Sequence, residues 1–240
     1  MKIKQVMIFA AGLGTRLKPL TDTMPKALVR VGGQPLLWHV IMKLKAAGYE
    51  RMVVNVHHFA DQIIDYLQAN GNFGVDIRIS DERDGLLETG GGIKKALPLF
   101  DCESPILIHN VDILSNLDLN ALPDDAPLLV VSPRQTKRYL LFDETLRLQG
   151  WTNIETGEVK GVKSEEVKSE KFRRLAFSGI HLFHPSLIPL MADWPDRFPI
   201  MDFYLKACGD HLIRGFEAHD LRLLDVGKLD TLEQAEKFIV

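Results

Sequence analysis

The sequence predicts an α/β fold with three layers, in which helices cover both faces of a mainly parallel, mixed sheet. In the first half of the chain, short runs rich in β-branched residues alternate with segments that carry apolar residues at helical spacing, and this alternation is typical of parallel sheets. The predicted strands are Gln5–Phe9, Arg51–Val56, Val75–Ser80 and Pro105–His109, and the predicted helices are Leu36–Ala47 and Gln62–Leu67. In such sheets, ligands bind beyond the carboxyl ends of the strands.

Length and composition fit one domain. The chain has 240 residues, of which 46% are hydrophobic, so it can bury one sizeable core without a second domain. A formal net charge of −3 gives no electrostatic footprint for nucleic acid or an anionic membrane. The two cysteines, Cys102 and Cys208, are too few for a disulfide framework, and no apolar run approaches the roughly 18 residues of a membrane helix. We therefore expect a single domain over residues 1–240 and a cytoplasmic location.

The first strand leads into a glycine-rich turn that predicts a phosphate site. Gly12 and Gly14 lack Cβ atoms, so backbone N–H groups can approach phosphate oxygens, and Arg16 and Lys26 supply positive charge. The Walker pattern is absent, and Leu17 stands where a dinucleotide fingerprint needs its third glycine. A plain strand-to-helix turn is the alternative interpretation of the glycines alone. The loop residues predicted to bind a nucleotide are Ala11, Gly12, Gly14 and Thr15.

These residues and the segments that follow resemble the nucleotide-sugar pyrophosphorylases, or sugar 1-phosphate nucleotidyltransferases. The signature of that family is Gly-x-Gly-Thr-Arg-Leu followed by Pro-Lys, and the chain has GLGTRLKPLTDTMPKAL. The resemblance covers nearly the whole chain, through GQPLLWHVIMKLKAAG, VVNVHH, LLETGGGIKKALP, NVDI, FSGIHLF and LDVGKLDTLEQAE. Within the family, the compact length and the ETGGG and FSGI segments are most similar to the uridylyltransferases that act on N-acetylmuramate α-1-phosphate.

The resemblance implies a Rossmann-like fold of the nucleotide-diphospho-sugar transferase type and Mg²⁺-dependent transfer of a nucleotidyl group from a nucleoside triphosphate to a sugar 1-phosphate. Residues 1–112 would form the nucleotide-binding half and residues 113–240 the sugar-phosphate-binding half. Direct transfer needs no enzyme nucleophile, because the substrate brings its own anionic oxygen. Arg16 and Lys26 are accordingly predicted to be catalytic, stabilising the α-phosphate and the departing pyrophosphate.

The favoured substrates are UTP and N-acetylmuramate α-1-phosphate, which would give the enzyme a role in cell-wall recycling. Two alternatives remain: a mannose- or heptose-1-phosphate guanylyltransferase, and a non-catalytic nucleotide-binding regulatory module. The sequence leaves the oligomeric state open.

The glycine run 90–92 is predicted to open a helix over Ile93–Leu99 and to present free amides to a nucleotide base. By resemblance, Glu88 and Gly91 are the expected base contacts, and a flexible helix entry is the alternative. His57 is expected near the nucleotide. It cannot chelate a metal together with His58, because adjacent residues of an extended chain point to opposite faces.

Asp112 and Asp225 are the predicted metal ligands. Each follows an apolar run at a point where a strand leaves the core, and carboxylate oxygens suit Mg²⁺. A lone aspartate at such a place is often a turn or cap residue, but the pair matches the two metal-binding aspartates of the family. One departure is Val111, where the family usually has glycine, and a β-branched residue there is expected to restrict the backbone or crowd the sugar.

The second half is predicted to bind the sugar phosphate. Leu128–Val131 and Leu175–Phe183 read as strands and Tyr139–Phe142 with Leu146–Gln149 as a hairpin. By resemblance, the Ser178-Gly179 step lies against the sugar ring, with Ser178 offering its hydroxyl. Asp202 is a further candidate sugar contact that could equally cap a helix over Phe203–Ala207.

The segment 155–174 mixes lysines and arginines with glutamates. It is predicted to be a solvated loop, with a lid over the phosphate or over an acidic sugar as the alternative.

Overall fold

The computed structural model describes residues 4–162, 167, 171–218 and 220–238 of the chain. Its strands are β1 (Gln5–Phe9), β2 (Arg30–Val31), β3 (Gln34–Pro35), β4 (Arg51–Val56), β5 (Asp76–Asp81), β6 (Ile106–Asn110), β7 (Ile113–Ser115), β8 (Leu128–Ser132), β9 (Arg138–Phe142), β10 (Leu148–Asn153), β11 (Val159–Lys160), β12 (Arg173–Phe183), β13 (Arg214–Glu217) and β14 (Leu223–Asp225). Its α-helices are α1 (Leu36–Ala46), α2 (Ala60–Ala69), α3 (Glu88–Ala96), α4 (Ile200–Ala207) and α5 (Leu229–Phe238).

A ten-stranded sheet runs through both halves of the chain, in the order β11-β10-β9-β12-β6-β1-β4-β5, with β8 paired to β12 and β13 to β8. The four strands β6, β1, β4 and β5 are mutually parallel. Beyond β6 the pairing becomes largely antiparallel, starting with β12. The parallel part therefore comes from the first half of the chain, and the boundary predicted at residue 112 falls just after β6.

Each face of the sheet carries its own apolar core. In β1, Val6 and Ile8 join the core that also buries α1 and α2, whereas Met7 joins the core that buries α3 and α4. This alternation follows from the two-residue period of strands, and Val6, Met7 and Ile8 are all apolar because both faces of the sheet are covered. The predicted α/β fold with helices on both faces of a mainly parallel, mixed sheet is confirmed.

Several element boundaries follow from local chemistry. Helix α1 begins after Pro35, which has extended backbone angles, and the chain leaves it at Gly48 with a φ of +81°. A glycine adopts this left-handed conformation without a steric cost. In the turn of the β9–β10 hairpin, the Asp143 carboxylate accepts hydrogen bonds from the amides of Thr145 and Arg147, as aspartate favours in turns.

Two helices begin earlier than the sequence predicts. Helix α3 starts at Glu88, so the glycine run lies inside it, and α4 starts at Ile200, so Asp202 lies in its first turn and does not cap it. Of the described helices, none combines the length and the hydropathy that crossing a bilayer requires.

Candidate active site at the carboxyl edge of the parallel strands

A cavity of about 410 Å³ lies at the carboxyl ends of β1, β4, β5 and β6. Residues at or just after the carboxyl ends of these four parallel strands all contribute to its wall, as expected for parallel sheets. Of the predicted site residues, Ala11, Gly12, Lys26, Glu88 and Asp112 line it. The other lining residues are Phe9, Ala10, Asn55, Glu82, Leu86, Thr89, Asn110 and Val111.

The glycine-rich loop divides into an open part and a packed part. An added Cβ at Gly12 would meet nothing within 4 Å, whereas one at Gly14 would lie 2.8 Å from Thr21 Cγ2. Gly14 has a φ of +64°, and its carbonyl accepts a 2.9 Å hydrogen bond from the Thr21 hydroxyl. Gly12 is therefore the position where a ligand can approach the backbone, and Gly14 shapes the turn. Thr15 and Arg16 follow in a single 3-10 turn, outside the lining of the cavity.

The loop is held by a buried pair, Asn55 and Glu82, neither of which is among the predicted site residues. Asn55 Oδ1 accepts hydrogen bonds from the amides of Ala10 (2.7 Å) and Ala11 (3.3 Å), and Asn55 Nδ2 donates to Glu82 Oε1 at 2.9 Å. The other Glu82 oxygen accepts from the Leu87 amide at 3.3 Å. One network thus connects the glycine-rich loop to the entry of α3. The sequence does contain a signal for Asn55, because this asparagine interrupts the apolar run Val53-Val54-Asn55-Val56.

His57 does not line the cavity. The chain leaves β4 at Val56 and turns through Phe59, with a φ of +55°, into α2. The His57 Nδ1 atom is buried and has no hydrogen-bond partner in the described part of the chain. The polar side chain that β4 sends to the cavity is Asn55 instead.

The glycine run has a different role from the one predicted. The amides of Gly90 and Gly91 donate to the carbonyl of Phe198, so they are not free to meet a base. An added Cβ at Gly90 would lie 2.2 Å from the Phe198 ring, and one at Gly91 would lie 2.0 Å from the Asp196 carbonyl oxygen. The interpretation of these two glycines as an amide-lined slot is wrong: they let the 196–198 segment dock on α3. Glu88, by contrast, lines the cavity.

The two predicted metal aspartates are brought together by strand pairing. β14 pairs with β7 so that Asp225 lies opposite Ile113, and the Val226 amide donates to the Asp112 carbonyl at 2.8 Å. The Lys26 ammonium forms an ion pair with Asp112 Oδ2, and both side chains are largely buried. A cation from the loop therefore already sits on one of the two carboxylates.

Burial raises the pKa of Asp225, and the nearby Asp112 carboxylate raises it further; the charges of Lys26, Arg16 and Arg134 act in the opposite direction. Arg16 approaches the same point, since an added Cβ at Gly227 would lie 2.7 Å from Arg16 Nη2 and 2.6 Å from Asp225 Oδ1.

Two carboxylates this close in a partly buried site repel one another, and a divalent cation would relieve that repulsion. In the described residues there is no cluster of three or more His, Cys, Asp or Glu side chains that could hold a metal alone. The donor set fits an ion that takes few protein oxygens and keeps water or substrate oxygens, as Mg²⁺ does. The buried Val111 lines the cavity beside Asp112, with its amide bonded to the Phe9 carbonyl.

In the second half, the residues predicted to contact the sugar lie at different places. The Ser178 hydroxyl donates to the Val130 carbonyl at 2.7 Å and the residue is 1% exposed, so the expectation that it is offered to a sugar is wrong. Gly179, with a φ of +76° in an irregularity of the β12–β8 pairing, lies against Asn110 of the cavity wall. Asp202 pairs with Lys160 at 2.9 Å, in a different cavity. The segment 155–174, predicted to be a solvated loop with a lid as the alternative, contributes β11 (Val159–Lys160) and the start of β12 at Arg173, and its residues 163–166 and 168–170 lie outside the described residues.

Comparison with known proteins decides the family. The sequence model of the nucleotidyl transferase family matches residues 5–127. The chain belongs to this family. It is 36% identical over 218 residues to an N-acetylmuramate alpha-1-phosphate uridylyltransferase of Caulobacter vibrioides, an alignment that covers 88% of this chain and 87% of that protein. A protein of the same name from Neisseria meningitidis is 46% identical over 118 residues, about half of each chain. The predicted enzyme class, nucleotidyltransferase, is confirmed.

Solved structures agree on the fold. A crystal structure of HddC from Yersinia pseudotuberculosis, complexed with GMP-PN, has a TM-score of 0.76 over 99% of this chain and all of that chain, at 22% identity. A UDP-glucose pyrophosphorylase complexed with UDP-glucose has a TM-score of 0.76 over 99% of this chain and 98% of that chain, at 16% identity. The predicted nucleotide-diphospho-sugar transferase type of fold is confirmed.

Proposed function

We propose that this enzyme transfers a uridylyl group from UTP to N-acetylmuramate α-1-phosphate in a reaction that depends on Mg²⁺, giving the nucleotide sugar and pyrophosphate. The substrates are suggested by the two relatives of that name, one of which matches nearly the whole chain. The observation that carries the reaction type is the meeting of Lys26, Asp112 and Asp225 beside the open backbone of Gly12. Such a product would place the enzyme in cell-wall sugar recycling.

The chemistry is an in-line displacement. An oxygen of the sugar 1-phosphate attacks the α-phosphorus of the triphosphate, a new P–O bond forms, and the bond to the pyrophosphate leaving group breaks. Catalysis then consists of positioning and of charge stabilisation. The backbone around Ala11 and Gly12 holds the triphosphate, with the Asn55–Glu82 pair fixing the two amides that precede Gly12.

Lys26 and Arg16, the cations of the loop, stabilise the negative charge that develops on the phosphates during transfer. Lys26 is buried at the cavity and can move from Asp112 to a phosphate oxygen. Arg16 lies beside Asp225 across Gly227, where it offsets the charge of the bound phosphates. A Mg²⁺ ion held by Asp112 and Asp225 would reduce the repulsion between the attacking and the transferred phosphate.

One other substrate pair has specific support. Mannose-1-phosphate guanyltransferase of Kluyveromyces lactis is 35% identical over 120 residues, which is 49% of this chain and 33% of that protein. The aligned part is half of the chain, whereas the muramate enzyme of Caulobacter aligns with the second half as well. We therefore rank guanylyl transfer to a hexose 1-phosphate below uridylyl transfer.

Mass spectrometry of reaction products tests the proposal. The protein is incubated with Mg²⁺, the four common nucleoside triphosphates and a pool of sugar 1-phosphates that includes N-acetylmuramate, N-acetylglucosamine, glucose and mannose. We expect UDP-N-acetylmuramate and pyrophosphate, and neither product when EDTA is present. A GDP-sugar would replace the proposed substrates with the runner-up, and unchanged turnover in EDTA would contradict the metal requirement.

A further inference from the structure

A second cavity, of about 460 Å³, lies in the second half of the chain. Its wall includes the rings of Trp151 and Phe177 and four charged side chains, Arg134, Arg138, Lys160 and Asp202. Aromatic surface beside charged groups is typical of sites that bind polar organic ligands, because the rings cover the ligand and the charges orient it.

One irregular stretch of β12 connects the wall of this second cavity with the wall of the first. Phe177 lines the second cavity, and Gly179, two residues further along, lies against Asn110 in the wall of the first. The pairing of β12 with β8 is interrupted between Phe177 and His181. A substrate joined to the nucleotide across this bulge would extend from the first cavity into the second.

The charges of the second cavity are not balanced. Asp202 is the carboxylate of the set, and it already pairs with Lys160 at 2.9 Å. Lys160 is also held over the Trp151 ring, with its Nζ atom 5.6 Å from the ring centroid. Arg134 and Arg138, by contrast, form no ion pair with a carboxylate of the described residues.

The two arginines differ in how they are held. Arg134 donates one N–H to the Phe177 carbonyl at 2.8 Å, which fixes its side chain at the bulge and leaves other donors free. Arg138 has no side-chain hydrogen bond or ion pair with the residues that the structure describes, and it is exposed on β9 at the cavity. A guanidinium group offers a planar pair of donors that matches a carboxylate.

We propose that this cavity recognises an acidic substituent of the sugar, a carboxylate bound by Arg138 with support from Arg134. The substrate class is therefore acidic sugar 1-phosphates, and the inference rests on the proposed function. Muramate, which appears in the names of two relatives, is a sugar that carries such a carboxylate. A neutral sugar would leave the excess of positive charge unmatched.

The test compares two sugar 1-phosphates that differ in the acidic group, N-acetylmuramate α-1-phosphate and N-acetylglucosamine α-1-phosphate, each at saturating UTP. Arg138→Gln should lower kcat/KM for the acidic sugar about ten- to hundredfold, the scale of a hydrogen bond to a charged group. The value for the neutral sugar should stay within about twofold. Arg138→Lys should keep part of the preference, since it keeps the charge and loses the planar pair of donors.

Arg214→Gln is the matched control, because Arg214 is a partly exposed arginine that pairs with Asp125 and lines neither cavity. Equal losses for the two sugars would overturn the inference and mean that Arg138 binds the phosphate common to both. Unchanged values for both sugars would also overturn it. A wild-type enzyme that uses the neutral sugar with UTP and rejects the acidic one would overturn the inference but leave nucleotidyl transfer to a sugar 1-phosphate intact. If neither sugar gave a nucleotide sugar, the proposed function itself would be contradicted.

Discussion

The two halves of the molecule carry their site residues in different ways. In the first half, four neighbouring parallel strands end at one edge, and residues at or just after the end of each strand line one cavity. In the second half the strands are largely antiparallel, and Ser178 and Asp202, both predicted to face one sugar, are directed to different places. Parallel strands concentrate chemistry at one edge, while antiparallel strands distribute it along their faces.

Asp225 is the exception that joins the halves. It comes from the second half, yet β14 returns to pair with β7 directly after Asp112. We therefore propose that the first half plus this aspartate performs the chemical step and that the second half discriminates between sugars.

Lys26→Ala should reduce kcat about 10²- to 10³-fold, the scale for removing one well-placed charge from a transition state. The change removes the buried cation that pairs with Asp112. Steady-state kinetics measure it, with Lys45→Ala as the control, since Lys45 is an exposed lysine on α1 that donates to the Phe73 carbonyl. Activity within about threefold of wild type, well short of that scale, would remove Lys26 from the mechanism.

Asp225→Asn should raise the Mg²⁺ concentration for half-maximal activity by at least about tenfold, the lower end of the effect of disturbing a metal site. The substitution removes a negative charge and leaves the strand pairing in place. A metal titration of activity measures the shift, and Asp125→Asn serves as control because Asp125 pairs with Arg214 at the surface. An unaltered titration would mean that Asp225 is a structural residue and that the first half performs the chemistry alone.

Two glycine substitutions should have opposite effects: one should change KM for the triphosphate and the other the stability of the fold. Gly12→Ala places a Cβ in open space, so we expect unchanged stability and a KM for the triphosphate raised by about tenfold through lost backbone contacts. Gly91→Ala places a Cβ against the Asp196 carbonyl and should lower the free energy of unfolding by about 1–3 kcal/mol.

Thermal unfolding and KM measurements on both glycine variants separate the two effects. A Gly91→Ala protein with wild-type Tm and a raised KM would restore the base-contact interpretation of Gly91. A Gly12→Ala protein with a lowered Tm and an unchanged KM would make Gly12 a structural residue like Gly14.

Two buried histidines at the seam between the halves, where β6 pairs with β12, should make the fold less stable in acid. Burial lowers the pKa of His109 to about 4 and that of His181 to about 3, from 6.5. Between pH 6.5 and those values the unfolded chain binds protons that the native protein does not, so stability falls as the pH falls. Each histidine should reduce the free energy of unfolding by about 2 kcal/mol between pH 7.5 and pH 5.

Urea unfolding at the two pH values measures this loss. In His181→Asn the difference between them should shrink, whereas replacing the exposed His58 by Asn should leave it as in wild type. An identical difference in His181→Asn and wild type would show that the seam is not the source of the acid sensitivity.

The sequence by itself determined the fold class and much of the first half. Strand β1 was predicted with its observed ends and β4 likewise, because a short run rich in β-branched and apolar residues is a local signal. The glycine-rich loop and Asp112 were placed by the same logic, since each follows such a run. The roles predicted for Lys26, Asp112 and Asp225 stay predictions until the variants above are measured.

Only the tertiary structure decided where the polar atoms point. Asn55 and Glu82 hold the loop across three segments, Ser178 turns its hydroxyl to Val130, and the amides of Gly90 and Gly91 meet a carbonyl more than 100 residues away. These outcomes depend on partners distant in sequence, and a buried polar group takes the partner that the packed fold brings to it. Local patterns specify strands and turns, whereas the direction of each side chain at the site is fixed by contacts that exist only once the sheet is assembled.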